Sequence, residues 1–205
     1  DGVPPLPQKF CATAEAEEEA PPIVASTAGK TVQPFILFPG LTVPQLEYKI
    51  DLPAHVSRPH FYCSRHTREW HKLYISASSL VPGLRDCFVY DFALQLDETT
   101  QTFVNATGVS VRIQDFGQVS SIMSMEILGK STPIYASFIN NATAAGWVAQ
   151  SNMGTAQYDF RLDPESHIQH TDWLQRVQAM VEDLYTRNNN TRVHLVGHSM
   201  GSPFA

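Results

Sequence analysis

The chain has 205 residues, of which 43% are hydrophobic and 17% are charged, a composition typical of a globular domain with a sizeable core. A net charge of −6 leaves no basic stripe to neutralise phosphates, so nucleic acid is excluded as an expected partner. No apolar run reaches the roughly 18 residues that a bilayer-spanning helix needs, so no transmembrane helix is predicted.

Residues 1–30 combine several prolines with the acidic run Glu15–Glu19. Such a segment buries too little apolar surface to offset the entropy of ordering, so a disordered arm is predicted. Cys11 lies in this arm, where it is either a thiol or a tether to another chain. The ordered part of the protein is predicted to be residues 31–205.

The first predicted element of the ordered part is the short apolar strand Phe35–Phe38, which Pro39 and Gly40 terminate. Further along, Cys63 and Cys87 enclose a segment rich in aromatic and apolar residues, and they could close a loop. Short strands and turns are predicted through Phe88–Tyr90 and Val109–Ile113.

Three N-x-[ST] sequons occur in stretches that we interpret as loops, at Asn105, Asn141 and Asn189. Together with a possible disulfide, they favour a secreted protein or one in the lumen of a secretory or lysosome-like organelle. Between the first and last sequons, residues 129–146 are predicted to hold a helix that starts near Pro133.

A long amphipathic helix is predicted from Thr171 to Arg187, with Thr171 as its N-cap and Asn188–Asn190 as its stop. Its apolar positions recur with helical spacing: Trp173, Leu174, Val177, Met180, Val181, Leu184 and Tyr185. The β-branched run Val193–Val196 follows and is predicted to be a buried strand.

The motif Gly197-His198-Ser199-Met200-Gly201 directly follows that strand and fits the G-x-S-x-G nucleophile elbow. An elbow needs a strand that stops abruptly, a serine in a strained turn, and small residues on either side. Ser199 is therefore the predicted nucleophile. The backbone N–H of Met200, and that of Leu41 after the first strand, are the predicted oxyanion-hole donors.

A nucleophilic serine needs a histidine base oriented by a carboxylate. In the hydrolase order both residues follow the serine, but here only four residues follow Gly201. None of the eight histidines is therefore chosen as the base, and His198 is interpreted either as a buried packing residue or as one that supports the catalytic groups without touching the substrate. The expectation is that a truncated or separate C-terminal polypeptide, cleaved from the same precursor, supplies the Asp and His.

Several further stretches match one family in order and spacing from about residue 34 to residue 205. They are Pro34–Gly40 with Gln45-Leu46-Glu47, Cys63 and Cys87, Gly108-Val109 with Phe116-Gly117, Gly146-Trp147, Ala156–Arg161 and His198–Gly201. On these residues the chain resembles the lecithin–cholesterol acyltransferase and lysosomal phospholipase A family. Phe160 departs from the tryptophan usual in that family.

The resemblance implies an α/β fold, namely the N-terminal portion of an α/β-hydrolase core whose sheet a missing or separate C-terminal chain completes. It also implies a membrane-binding subdomain around residues 48–95, stapled by a Cys63–Cys87 disulfide. Trp70, Leu80 and Val81 are its expected membrane contacts, and ordinary packing is the alternative for these side chains. Asp159 and Arg161 are interpreted as a structural ion pair.

The function expected from these features is a serine-dependent phospholipase A or lipid acyltransferase acting at a phospholipid membrane. Its acyl-enzyme would pass the acyl group to water or to a lipid alcohol such as sterol. The alternatives are a neutral-lipid lipase or thioesterase on the same fold, or a non-catalytic lipid-binding fragment. No cofactor or metal is expected.

Overall fold

A computed structural model describes residues 32–74, 81–127 and 130–205. The predicted arm at 1–30, Cys11 and Leu80 lie outside the described residues. The strands are β1 Phe35–Phe38, β2 Leu46–Ile50, β3 His71–Lys72, β4 Leu94–Asp97, β5 Thr102–Asn105, β6 Val109–Ile113, β7 Ser124–Ile127, β8 Lys130–Pro133, β9 Met153–Thr155 and β10 His194–Gly197. The helices are α1 Arg85–Phe92, α2 Ser120–Met123, α3 Ala136–Ala144, α4 Pro164–His170 and α5 Trp173–Arg187, followed by a 3₁₀ segment at Ser199–Phe204.

A parallel three-stranded sheet in the order β10-β1-β9 forms the centre of the fold. All four residues of β1 are buried, and successive side chains point to opposite faces. Ile36 and Phe38 join a core cluster on one face with α5, whereas Phe35 and Leu37 join a second cluster on the other face with α3. The predicted strand Phe35–Phe38 and the mixed α/β class are confirmed.

The remaining strands form smaller antiparallel sheets, in the order β3-β2-β6 and as the hairpins β4-β5 and β7-β8. The predicted strand Val109–Ile113 is confirmed as β6, and the helix predicted within 129–146 is confirmed as α3. None of the described helices has the length and apolar character needed to span a bilayer.

The prediction of strand and turn at Phe88–Tyr90 is wrong, because this segment lies inside helix α1. Tertiary contacts override the local β preference here. Cys87 and Asp91, four residues apart, are the buried positions of α1. Cys87 forms a disulfide with Cys63, and Asp91 pairs with Arg58. One face of a helix presents both partners to the same loop.

Strand β10 forms as predicted, but its expected burial is wrong, because all four of its residues are exposed. Leu195 is 46% and Val196 36% exposed. Among the described residues β10 pairs only with β1, so it is an edge strand with one partner.

Helix α5 begins at Trp173, not at Thr171, although the Thr171 hydroxyl accepts a hydrogen bond from the Trp173 N–H. The predicted stop is confirmed, because the helix ends at Arg187 and both Asn189 and Asn190 have positive φ. Leu174 and Tyr185, which the predicted apolar stripe included, are exposed. The buried stripe is therefore narrower than expected.

Two of the three sequons do not lie in loops. Asn105 ends strand β5, and its Oδ1 accepts a hydrogen bond from Arg161 at 2.7 Å. Asn141 lies inside helix α3 on an exposed face. Asn189 is exposed in the turn after α5, as predicted.

Candidate active site

The candidate nucleophile lies where β10 ends. The strand stops at Gly197, His198 has extended backbone, and Ser199 begins the 3₁₀ segment with φ of 53°. A positive φ outside glycine costs on the order of 1–3 kcal/mol and persists only where the surrounding fold imposes it. The strand-to-helix turn at Ser199 thus has the strained backbone that an elbow requires.

The two glycines of the motif are required by close backbone approach. A Cβ on Gly201 would lie 2.2 Å from the carbonyl oxygen of Phe38. A Cβ on Gly197 would lie 2.6 Å from the Cα of Ser202. Because Gly201 has no Cβ, the 3₁₀ segment can pack directly on the end of β1. Because Gly197 has none, the chain can turn back closely after β10.

The loop after β1 reaches the same place. Phe38 and Gly197 are register partners in the parallel sheet, so both strands end side by side. The His198 N–H donates to the Phe38 carbonyl at 3.1 Å. A Cβ placed on Gly40 would lie 3.4 Å from the Cβ of Ser199.

Both predicted oxyanion donors belong to this junction. Leu41 follows Gly40 and is 50% exposed, and Met200 follows Ser199 and is 40% exposed. Neither backbone N–H donates a hydrogen bond to a described residue. Both N–H groups, one next to Gly40 and one next to Ser199 in the chain, therefore keep their hydrogen-bonding capacity.

None of the described imidazoles or carboxylates forms a hydrogen bond with the Ser199 hydroxyl. His198 is exposed and its Nδ1 lies 2.6 Å from the Tyr135 hydroxyl, so the expectation that it is buried is wrong. His167 is buried, with Nε2 3.0 Å from the Asp159 carbonyl, and burial lowers its pKa.

Tyr135 is a site residue that sequence reasoning missed. It directly precedes helix α3, and its hydroxyl accepts a hydrogen bond from the Gly40 N–H at 2.8 Å. Nothing in the local sequence marks this tyrosine, because its partners are 63 and 95 residues away along the chain.

The interpretation of Asp159 and Arg161 as a structural pair is confirmed in its geometry. The side chains are 2.6 Å apart and almost fully buried. Arg161 also donates to the Phe92 carbonyl and to Asn105. The guanidinium therefore joins helix α1, strand β5 and the segment after β9.

The Cys63–Cys87 disulfide is present, with a Cα–Cα distance of 5.4 Å. Tyr62 and Leu84 line a cavity together with both cysteines. These two exposed side chains and their exposed near neighbours in the chain are here named the disulfide patch: Phe61, Tyr62, Val81 and Leu84. Phe61 is 101% exposed, so its whole ring is open to solvent. Exposed apolar side chains that lie together mark sites of interaction with a partner or a membrane.

The two predicted membrane contacts that the structure describes, Val81 and Trp70, differ from each other in exposure. Val81 is 45% exposed and belongs to the disulfide patch. Trp70 is only half-exposed, because the Arg112 guanidinium lies over its ring at 4.4 Å from the centroid. Phe61, which the sequence reading did not select, presents more apolar surface than either residue.

A buried ion pair between Arg58 and Asp91 lies next to the disulfide. Arg58 donates to both carboxylate oxygens of Asp91, and each side chain is less than a tenth exposed. Burial raises the pKa of Asp91, and the hydrogen bond from Arg58 opposes that rise. Breaking such a pair strands a buried charge, so the loop before Cys63 is firmly tied to helix α1.

A family model described as lecithin:cholesterol acyltransferase matches residues 70–205. Phosphatidylcholine-sterol acyltransferase from Gallus gallus is 27% identical over 184 residues, covering 90% of this chain and 41% of the relative. Lysosomal phospholipase A and acyltransferase from Rattus norvegicus is 28% identical over 172 residues, covering 83% and 40%. The Homo sapiens phosphatidylcholine-sterol acyltransferase is 27% identical, covering 82% and 37%. The chain thus spans about two fifths of the length of the curated relatives it matches.

Proposed function

Because the chain belongs to the lecithin:cholesterol acyltransferase family, we propose that it carries the nucleophile of a serine-dependent phospholipase A and lipid acyltransferase. Relatives named phosphatidylcholine-sterol acyltransferase and lysosomal phospholipase A and acyltransferase support a phospholipid as acyl donor. The observation that carries the proposal is the positive φ of Ser199, held between Gly197 and Gly201 beside the Gly40 loop.

In the first step, Ser199 Oγ attacks the carbonyl carbon of an acyl ester in a glycerophospholipid. The carbonyl oxygen becomes an oxyanion, which the N–H groups of Leu41 and Met200 stabilise. The ester C–O bond then breaks, and the lysophospholipid leaves with the proton that the serine has lost. Removing one such donor costs about 10²–10³-fold in kcat in a well-studied hydrolase.

In the second step, water or a lipid alcohol such as sterol attacks the acyl-enzyme. The bond from the acyl carbon to Ser199 Oγ breaks, the serine regains its proton, and a fatty acid or an acyl ester leaves. A histidine base oriented by an aspartate transfers the proton in both steps. We assign both residues to a second polypeptide, or to a further segment of the same precursor.

The same second polypeptide or further segment is proposed to complete the sheet. Strand β10 presents one edge and the side chains of His194, Leu195 and Val196 to the outside of the described structure. Beside it lies an apolar groove of about 470 Å³ whose walls include Phe35, Phe138, Trp147 and Val196. A further strand and helix would cover both features.

Membrane access is assigned to the disulfide patch. Aromatic side chains with exposed faces favour the interface between water and bilayer. Phe61 and Val81 would enter that interface, while the disulfide and the Arg58–Asp91 pair hold the loop rigid. A secretory or lysosome-like compartment suits this role, and Asn189 is the exposed sequon that lies in a turn, where a glycan would attach.

The test uses the full-length protein with Ser199→Ala and, as a matched control, Ser202→Ala, which changes an exposed hydroxyl three residues further on. Exposure to a fluorophosphonate should add the probe mass to Ser199 in the wild type and in Ser202→Ala only. Phospholipid vesicles should be hydrolysed by those two proteins and not by Ser199→Ala.

The same assay separates the alternatives. Preference for triglyceride or thioester over phospholipid would identify a different acyl hydrolase on this fold. Lipid binding without labelling or turnover would identify a non-catalytic lipid-binding protein. Normal phospholipase activity in Ser199→Ala would refute the serine mechanism altogether.

A further inference from the structure

One peptide group in the loop after β1 is held at both ends by tyrosine hydroxyls. The Tyr158 hydroxyl donates to the Pro39 carbonyl oxygen at 2.9 Å. The Gly40 N–H donates to the Tyr135 hydroxyl at 2.8 Å. The Pro39 carbonyl and the Gly40 N–H belong to the same planar peptide unit, so these two bonds together fix the orientation of that plane.

The second bond continues into the elbow. The Tyr135 oxygen accepts from Gly40, and its own proton remains available for the His198 Nδ1 at 2.6 Å. This direction requires a neutral His198 with its proton on Nε2. A continuous chain of hydrogen bonds therefore runs from the Gly40 N–H through Tyr135 to the residue that precedes Ser199.

Both hydroxyls sit in protected positions. Tyr158 is fully buried and Tyr135 is 9% exposed. Burial raises the pKa of each phenol above its ordinary value of 10.0, so both hydroxyls remain protonated at neutral pH. Water has little access to replace either hydroxyl, and a lost bond would leave a buried backbone group without a partner.

We propose that Tyr135 and Tyr158 are positioning residues for oxyanion stabilisation. By fixing the Pro39–Gly40 peptide they set the direction of the next peptide, which carries the Leu41 N–H. That N–H then points at the position where the ester oxygen becomes negative. The inference rests on the proposed function, since it needs Ser199 to form an acyl-enzyme and Leu41 to be a donor.

A geometric consequence distinguishes this role from simple packing. Two bonds that orient one peptide are not independent, because loss of either one already frees the plane to rotate. The effects of removing the two hydroxyls should therefore be less than additive in the free energy of the transition state. Independent packing contributions would instead add.

The experiment compares Tyr135→Phe, Tyr158→Phe and the double variant of the full-length enzyme, with Tyr185→Phe as a control. Tyr185 lies on the outer face of α5 and is 41% exposed. Each hydroxyl loss should lower kcat about 10- to 100-fold, as expected when a catalytic donor is misplaced, with KM for a short-chain ester within about twofold. The double variant should lose little beyond the worse single variant.

A trifluoromethyl ketone supplies a readout that packing alone would not move. Ser199 Oγ adds to the ketone carbon, its proton passes to the enzyme's base, and the ketone oxygen becomes a bound oxyanion. Its affinity should fall in parallel with kcat/KM across the variants. Affinity for a non-hydrolysable ether phospholipid, which has no such carbonyl, should stay within about twofold, since only transition-state interactions are lost.

Three results would overturn the inference: wild-type kcat in both single variants, strictly multiplicative losses in the double variant, or equal losses of ketone and ether-lipid affinity. Tyr135→Phe carries the test by itself if Tyr158→Phe does not fold. Labelling of Ser199 keeps the two proposals apart. If Ser199 is labelled and required while the phenylalanine variants turn over normally, only the positioning role fails.

Discussion

The ring of Phe204 stacks on the ring of Tyr158, with centroids 4.1 Å apart and planes inclined by 21°. Phe204 lies at the end of the 3₁₀ segment that follows the candidate nucleophile. Tyr158 holds the Pro39 carbonyl through its hydroxyl. This stack therefore joins the two polypeptide segments whose relative placement decides whether an oxyanion hole forms.

Phe204→Ala should lower the free energy of unfolding by about 3–5 kcal/mol, as for other buried phenylalanines. Phe204 also makes edge contacts with the rings of Trp173 and His167, so the lost contacts are extensive. Urea denaturation of the full-length protein measures the change. Phe61→Ala is the control, because that ring is fully exposed and its removal should cost less than about 0.5 kcal/mol. Equal costs for the two variants would contradict the prediction.

Gly201→Ala should destabilise the fold by several kcal/mol, or prevent folding, because the added methyl meets the Phe38 carbonyl at 2.2 Å. Gly83→Ala provides a matched comparison, since a Cβ there has no neighbour within 4 Å. That variant should be neutral, or more stable by about 0.4–1 kcal/mol through a less flexible unfolded chain. Thermal unfolding of both variants measures this difference. A stable, soluble Gly201→Ala protein would show that the 3₁₀ segment moves away from β1 at small cost.

Stability should fall as the pH drops below the ordinary pKa of histidine, near 6.5, because of His167. Burial lowers the pKa of His167 in the folded protein. Below pH 6.5 the unfolded chain therefore binds more protons than the folded one. The contribution of His167 to the free energy of unfolding is lost progressively as the pH falls from 6.5 through the folded pKa.

The measurement is the free energy of unfolding near pH 7.5 and near pH 5.5 for the wild type and for His167→Gln. The glutamine retains a donor for the Asp159 carbonyl but takes up no proton in this range. The wild type should lose more stability than the variant between the two conditions. An identical loss in both proteins would show that His167 does not contribute to the pH dependence.

Phe61→Ser should reduce turnover of phospholipid vesicles several-fold and leave hydrolysis of a soluble short-chain ester unchanged. The exposed ring contributes apolar area only when a bilayer covers it, and full burial of a phenylalanine is worth about 1.5–3 kcal/mol. Vesicle co-sedimentation and the two activity assays measure both effects. Phe103→Ser, which alters a 43% exposed ring on strand β5, is the control and should affect neither assay.

Reduction of the Cys63–Cys87 bond extends the same test. The bond closes a loop of about 25 residues, so its loss should cost on the order of 3 kcal/mol. Action on vesicles should fall more than action on the soluble ester, because the patch loses its rigid support. Equal losses on both substrates would indicate a purely structural disulfide.

The sequence predicted the elements whose signals are local. The elbow at Gly197–Gly201 and the strand Phe35–Phe38 follow from short-range pattern, and the structure contains both elements where they were expected. Helix α4 was missed although Asp163 caps it by accepting from the Ser166 N–H, with Pro164 in the first turn. Asp-Pro before a short polar segment also fits a turn, so the local signal was ambiguous.

The other elements and site residues that the sequence did not predict depend on contacts between residues far apart in the chain. The segment Phe88–Tyr90 has strand-forming residues, but the Cys87 disulfide and the Asp91 ion pair hold it as a helix. Tyr135 acquires its position only when strand β1 and the elbow meet beside helix α3. No window of sequence contains both partners, so no local rule could have identified that residue.

The order of the central sheet has a consequence for biosynthesis. Strand β1 is made first, yet its partners β9 and β10 lie more than a hundred residues later. At ribosomal rates of about 5–20 residues per second, the apolar segment Phe35–Phe38 waits on the order of ten seconds before its first strand partner is made. During that interval it is an aggregation hazard. Yield of the protein should therefore depend on chaperone capacity and on translation speed between β1 and β9, as well as on the stability of the finished fold.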